Sequence, residues 1–516
     1  MYSYILKSVK LVVDLRLQIN SMQIRIIISF VFSLLVGTVT HAQDQLGMKL
    51  SNMAPTQMAR LNPSAIVDQK PFRDFEIFGV GAYLMNDYIY YDGNQTSILT
   101  GQIPEEPDDI YNTTSKNVFA QANVFLPSFS TSYGKYAFGL RTNIRTFAHG
   151  KDIPFHLAKF FKEGIGFDDL QDQELFSSNF RVNATSWLEI GGQFGMILLQ
   201  KRKHMLTGGI SLQRLSGIAG AGLYASTFNY NVENDTVFTI LETTSDFGVS
   251  NLGFNAGRGW GTDIGFTYHR KLDNTERYNS HSLKSGCNYI DYKWKAGISL
   301  IDLGRINFTP NSFYRGFQAV GAQLNNLEGQ DPQSVEDLVS YIDDGILVGD
   351  VDEDNEFRMR LPTSLNMQFD YNFENDIRVG AIANIGFPAN NAFGVERPTY
   401  AAVIPRYERL YFEAALPVSI NTMFMNPRVG LMLRWGPVTV GTDNIIPFAF
   451  NSDIYGADFY FTVRILRFNS PECIRKGVDW RVNDCTAPSN RWSSRDKKGN
   501  NKRRYQRNKK RQKRYL

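Results

Sequence analysis

Arg141, Asn143 and Arg145 stand two residues apart, a spacing that puts all three side chains on one face of an extended chain. Two guanidinium groups in a row on one face are tolerated only in a wet enclosure or against carboxylates. Other alternating stretches supply carboxylates and polar groups in the matching phase: Glu189 with Gln193, Asp263 with His269, then Asp370 and Glu413. Lys293, Lys295, Arg378 and Arg434 complete the charged set. Such a set either pairs and fills an enclosure or lines a polar path that selects solutes by charge and width.

Bond-making chemistry finds little support. The sequence has no Gly-x-Ser-x-Gly, P-loop or His-Glu-x-x-His segment. Its six histidines are scattered, none at i, i+4 on an expected helix, so no metal, cofactor or catalytic residue is assigned and the chain is read as a non-enzyme. A Ser/His/acid set drawn from separate strands has no local spacing and stays open. Gly220-Ala221-Gly222 imitates a dinucleotide fingerprint, but no helix follows it, so it reads as small residues in a strand. Asp350 to Glu356 resembles a calcium loop for three positions only. Asn355 and Leu361 stand where that loop needs Gly and Glu, which leaves a solvated acidic loop.

The elements that must position the charged set are long alternating strands. From Pro362 to Phe387 two of them are joined at Glu374-Asn375-Asp376, with Leu365, Met367, Phe369, Tyr371 and Phe373 on one face and Asn366, Gln368 and Asp370 on the other. Their length is close to the roughly 9 to 11 residues that a tilted strand needs to cross a bilayer. One greasy and one wet surface at that length predict an all-β fold, a transmembrane antiparallel β-barrel with lipid outside and a polar lumen. Hairpins are expected over 118–147, turning at Ser132-Tyr133-Gly134-Lys135, and over 186–215, turning at Lys201 to His204. Further strands are expected near 75–84, 218–230, 236–242, 259–271, 289–300, 399–405, 408–420, 427–435, 437–445 and 458–467; a conservative count, which lets neighbouring stretches join, gives about fourteen. In 289–300 Tyr292 and Trp294 are placed outward, and Asp291, Lys293 and Lys295 inward. Trp260, Trp294 and Trp435 are candidates for the interfacial girdles.

Residues 1–42 read as a secretory leader with a possible over-called start: Arg25, the apolar run Ile26–Val36 and an Ala-x-Ala-like site ending at Ala42. Residues 43–74, with Asn62-Pro63, are too polar and broken for a strand and are expected at the barrel mouth or in the lumen as a plug. The barrel is expected over 75–468, with insertions at 152–179 and 316–357. Both insertions are read as helical, over Pro154–Phe161 and from Asp331 to about Ile342. A linker, 469–490, carries Cys473 and Cys485 as a disulfide candidate and leaves Cys287 free. The formal charge of +4 divides into +3 over residues 1–42, −11 over 43–490 and +12 over 491–516. That basic tail has no apolar face to bury and is expected to be disordered when free. An even strand count puts both termini in the periplasm of a Gram-negative cell, where the tail would meet cell-wall carboxylates, lipid phosphates or an acidic protein rather than nucleic acid.

Several segments also carry a family resemblance: Leu46-Gly47 through Asn62-Pro63, Leu157-Ala158-Lys159-Phe160, Leu300-Ile301-Asp302-Leu303-Gly304, Leu361-Pro362-Thr363-Ser364, and Gly441-Thr442-Asp443-Asn444 leading to Asp453-Ile454-Tyr455-Gly456. Over most of 43–468 the chain resembles a Bacteroidota outer-membrane β-barrel family of uncharacterised function. Its Asn-Pro segment is more distantly similar to that of FadL-type fatty-acid channels and the FadL-like barrels of type IX secretion. The resemblance implies fourteen strands around an N-terminal plug. The expected function is transport-like, the passage or binding of a small or hydrophobic solute in the outer membrane. The alternative is a non-conducting scaffold that holds a periplasmic or surface partner.

Overall fold

Alternation decides which way each strand residue points, and the computed structural model follows it through most of the chain. The structure describes residues 45–475 apart from 95, 97–103, 105, 165–166, 235–236, 284–286, 288, 310–311, 326–334, 389–392, 425–426 and 447–451. The expected leader, Cys485 and the basic tail lie outside the described residues.

Fourteen strands, several of them interrupted, close one antiparallel barrel. In chain order they are β1 (Arg73–Asn86), β2 (116–133), β3 (Tyr136–Ile153), β4 (174–201), β5 (His204–Asn234), β6 (237–271), β7 (292–325), β8 (346–372), β9 (Ile377–Gly386), β10 (Tyr400–Glu408), β11 (412–421), β12 (428–435), β13 (Val438–Thr442) and β14 (Gly456–Arg467). Each pairs with its neighbours in sequence, and β1 closes on β14 from Arg73↔Arg467 to Met85↔Gly456. Short connections at 134–135, 202–203, 373–376, 409–411 and 436–437 mark one end, and most long ones gather at the other. Gly134 and Gly436 take left-handed φ values of 65° and 55° in two of those tight turns, where a Cβ is disfavoured. The long-loop end carries helices α3 (Phe155–Glu163) and α4 (Val335–Asp344). Two short helices, α1 (Leu46–Lys49) and α2 (Pro55–Met58), precede β1, and α5 (Pro471–Arg475) follows β14.

The outer face is apolar where alternation puts it. Phe138, Phe266, Phe369 and Val403 are 54%, 45%, 44% and 50% exposed, unusual values for such residues unless lipid covers them. Trp260 and Trp435 also stand outside, and Trp294 lies between Tyr268 and Phe369 on the same face.

The structure corrects the strand map in two places. Residues 204–234 form one strand with no break near 215–218; Gly217, Gly220 and Gly222 interrupt the pattern because a Cβ there would fall within 2.9 Å of the Phe308 or Phe393 ring. The region 316–357 is not an insertion without strands. β7 continues to Asn325 and β8 begins at Ile346, so the acidic run expected as a loop is largely strand, Ile346–Asp354. Bulges at Ala319 (φ 49°) and Gly349 (φ 113°) destroy its alternation, and nearly all of its side chains are exposed. At about 3.3 Å per residue β5 alone has roughly 100 Å of strand, several times what a bilayer crossing takes. Its upper half, with those of β6, β7 and β8, forms a sheet that stands beyond the apolar belt at the long-loop end.

Candidate functional site

Residues 45–72 enter the barrel and are buried almost throughout. Their polar side chains and backbone find partners on the wall. The Leu46 amide donates to the Asp443 carboxylate at 3.1 Å, Ser51 Oγ to Glu413 Oε2 at 2.7 Å, and Asn52 Nδ2 to Glu408 Oε2 at 2.9 Å. Arg60 pairs with Glu76 at 2.9 Å and also reaches Asn143. Lys271 pairs with Asp68, whose carboxylate also accepts from Tyr278 OH at 2.6 Å. Apolar anchors flank these contacts, Leu46, Met48 and Leu50 against Ile404, Met432 and Tyr460, and Ile66 and Val67 against Ile197 and Met205.

Asn62 and Pro63 form the sharpest joint. Asn62 caps the short 3-10 turn Pro63–Ile66: its Oδ1 accepts from the Ser64 amide at 3.0 Å and from Ser64 Oγ at 2.7 Å, while Nδ2 donates to Phe266 O at 3.1 Å. Pro at the first helical position loses no backbone bond there. The wall behind the joint is stripped of side chains. A Cβ on Gly265 would sit 2.2 Å from Asn62 Oδ1, one on Gly297 2.9 Å from Asn62 Nδ2, and one on Gly209 2.5 Å from the Pro63 carbonyl carbon.

The charged set faces the lumen in paired groups. Arg141 bridges Glu189 and Asp263, each at 3.1 Å, and Arg145 bridges Glu189 at 3.1 Å and Asp302 at 2.7 Å. Asn143 donates to Glu189, and Gln193 is buried below it. Arg378 bridges Asp291 at 2.6 Å and Glu408 at 3.2 Å, Lys295 lies 3.6 Å from Asp370, and Arg434 pairs with Glu413 at 3.1 Å. His269 lies by Thr207, Nε2 3.3 Å from Oγ1.

Lys293 departs from expectation. A bulge opposite Arg270 and Lys271 turns Tyr292 inward, where its hydroxyl reaches Asp370, and turns Lys293 out to pair with Glu374 at 2.8 Å in the tight turn. The disulfide also differs. Cys473 pairs with Cys287, not with Cys485, because the connection between β6 and β7 folds under the tight-turn end and meets the chain as it leaves β14, with the two Cα atoms 5.9 Å apart. Sequence reasoning missed Asp302, which takes Arg145 and, at 2.8 Å, Arg397. It sits at φ 56° in the bulge where Thr262↔Leu303 slips to Ile264↔Leu300, so alternation gives it no phase. Glu408 and Arg406 were missed too; both alternate inward on β10.

Above the charges the inward face changes character. On β3 the inward series runs Arg141, Asn143, Arg145 and then Phe147, and the other strands follow: Trp187 above Glu189, Leu215 above Gln213, Ile306 and Phe308 above Asp302. Tyr83, Phe119, Phe357, Met359 and Phe393 complete an apolar layer across the lumen. Arg145 marks the boundary, its guanidinium 4.9 Å from the centre of the Trp187 ring. Directly below, a small polar cavity of about 40 Å³ lies between the plug and the wall, lined by Lys49, Arg60, Arg141, Arg145, Glu189 and Asp302 among others.

A family profile matches residues 63–443, from the plug's Pro63 to Asp443, which binds the plug's first turn. The chain belongs to DUF5723, a family of unknown function. No curated protein matches it. Among solved structures it is similar to a deletion mutant of the TodX monoaromatic hydrocarbon channel (9% identity, 81% of this chain and 96% of that one, TM-score 0.40). It is also similar to the Ralstonia pickettii toluene transporter TbuX (10% identity, 84% and 96%, TM-score 0.37) and to a Pseudomonas aeruginosa FadL homologue (11%, 83% and 96%, TM-score 0.33). What those channels carry is theirs; the chemistry of the DUF5723 lumen rests on its own side chains.

Those side chains pair with one another and with the plug. Among the described residues no cluster of three His, Cys, Asp or Glu is placed to bind a metal ion. Each buried ion pair here is costly to break from one side, because the group left behind stays desolvated. Outside the barrel the same DUF5723 chain ties α3 to the hairpin Ile89–Tyr90 and Asp108–Asp109 through Lys159, 3.1 Å from Asp109, and Lys162. Burial alone would raise the Asp109 carboxyl, but the hydrogen bonds from the two lysines outweigh it and hold it below the ordinary carboxylate range.

Proposed function

We propose that this protein is an outer-membrane barrel that takes up a small hydrophobic solute from its long-loop end, holds it in the apolar layer and releases it past the plug. The observation that carries this reading is the layer itself. A water-filled pore needs polar walls through its whole depth, whereas here aromatic and aliphatic side chains from seven strands turn into the lumen above the charges. The plug supports gated passage over a fixed seal, because its polar contacts are exchangeable with water while its joint rests on a wall of glycines.

The direct test uses an apolar dye whose emission rises out of water. Binding should quench Trp187 in the full-length protein, Trp187→Phe should abolish that quenching, and Phe308→Glu should weaken binding by about tenfold through burial of a charge. Proteoliposomes should pass the dye faster than empty liposomes. An unaltered Trp187 signal with transfer no faster than through lipid would refute the reading.

The paired charges and buried plug also favour a second reading, a closed scaffold barrel; it predicts no transfer even after the plug is released. The basic segment 491–516 follows α5 at the tight-turn end, and we propose for it an anionic partner there, in the cell wall, the lipid headgroups or an acidic protein. Unchanged sedimentation with cell-wall sacculi and unchanged partner capture after its deletion would remove that proposal.

A further inference from the structure

The upper segment of β8, Ile346–Asp354, has a neighbour on one side only. It runs antiparallel to β7 from Ala322↔Ile346 to Tyr314↔Asp354, and no described residue pairs with its other side. Lower down, Ser364–Asn372 of β8 is covered by β9, but β9 ends at Gly386 opposite Ser364. The sheet therefore stops in an open edge above the barrel's shorter wall, and an open edge presents unpaired N–H and C=O groups in strand spacing.

Two further features distinguish this edge. Leu347 and Val348 are 70% and 65% exposed, beyond the belt that lipid would cover. Asp350, Asp352, Glu353 and Asp354 follow at once. Glu353 lies 3.6 Å from Arg315, while Asp350 and Asp352 form no ion pair among the described residues. Gly349 at φ 113° and the register slip between Gln318 and Gly321 kink the edge at its middle, which leaves Asp350–Asp354 as the regular, acidic part.

We propose that this edge docks an extended, basic segment of a partner protein, which adds as a further strand at the long-loop end. Main-chain hydrogen bonds supply the attachment, the acids select lysine and arginine, and Leu347 with Val348 covers one apolar side chain of the guest. Charge decides between occupants. A second copy would lay its own acids beside these. The chain's own basic tail follows Arg467, which pairs with Arg73 at the opposite end of the barrel. The inference goes beyond the transport reading and does not depend on it.

The test uses the full-length protein in detergent micelles and three labelled peptides of about eight residues: alternating Lys and Val, alternating Glu and Val, and alternating Lys and Pro, which keeps the charge but cannot form a ladder. The Lys/Val peptide should bind at least about tenfold tighter than either control and should slow amide exchange within 346–354. Asp350→Lys combined with Asp352→Lys should weaken it by about tenfold or more while the heat-induced gel shift of the barrel stays unchanged. Equal binding of the Lys/Pro peptide, protection confined to other strands, or unaltered binding by the charge-reversed protein would overturn the proposal. So would concentration-dependent protection of 346–354 without peptide, which would seat a second copy there.

Discussion

Gly265→Ala tests the plug joint with one methyl group. The wall would gain a Cβ 2.2 Å from Asn62 Oδ1 and 2.9 Å from Asn62 Cγ, too close for either to remain. Asn62 must then give up its cap on Ser64, worth about 1 kcal/mol, and its bond to Phe266 O, worth about another 1 kcal/mol, with further loss if Pro63 lifts off Gly209. A total of roughly 2–4 kcal/mol raises the undocked fraction by about 30- to 1,000-fold. The barrel should not suffer, since alanine suits a strand better than glycine. Limited proteolysis of the purified protein reads the outcome: cleavage within 45–72 should accelerate by that factor while the heat-induced gel shift stays put. Transfer of an apolar solute through proteoliposomes should rise in parallel if the lumen conducts. A variant whose plug resists protease as well as the parent would refute the idea that glycines on the wall admit the joint.

Asp302→Ala leaves Arg145 and Arg397 without their shared carboxylate and should cost about 3–5 kcal/mol, read as a lower urea midpoint for barrel unfolding; Asp302→Asn should lose less. Cys287→Ser should make the chain around α5 protease-sensitive and cost about 2–5 kcal/mol, whereas Cys485→Ser should leave non-reducing mobility unchanged. The pH dependence of the α3 contact follows from the lowered Asp109 carboxyl. Its contribution is complete above the unfolded value of about 4 and fades as pH falls through the lower folded one. Amide exchange in 155–163 should therefore be flat from neutral pH to about 5, after correction for intrinsic rates, and rise only below about 4.

How far the sequence could be read depended on where the two-residue period survives. From Ser364 to Gly386 no register slip occurs, and the expected faces, turn and length all appear. At Tyr292 and Asp302 a single extra residue reverses or erases the phase, so one outward tyrosine turned inward and a central carboxylate went unnoticed. The apolar layer was hidden for a different reason. Phe147 follows Arg145 in phase, but beside Leu140 and Ile144 an inward phenylalanine looks like one more lipid-facing residue. The partner of Cys473 depended on the path of a connection nearly two hundred residues away, which no local pattern encodes. Paired charges were legible as a set, their partners only once the strands were aligned.

The buried segment is continuous with the first strand at Phe72-Arg73, and that strand is half of the seam that closes the barrel. A segment leashed so closely could not diffuse away even when undocked. If it undocks, its effective concentration at its seat stays on the order of millimolar or higher, so redocking would need neither a second protein nor a supply of energy.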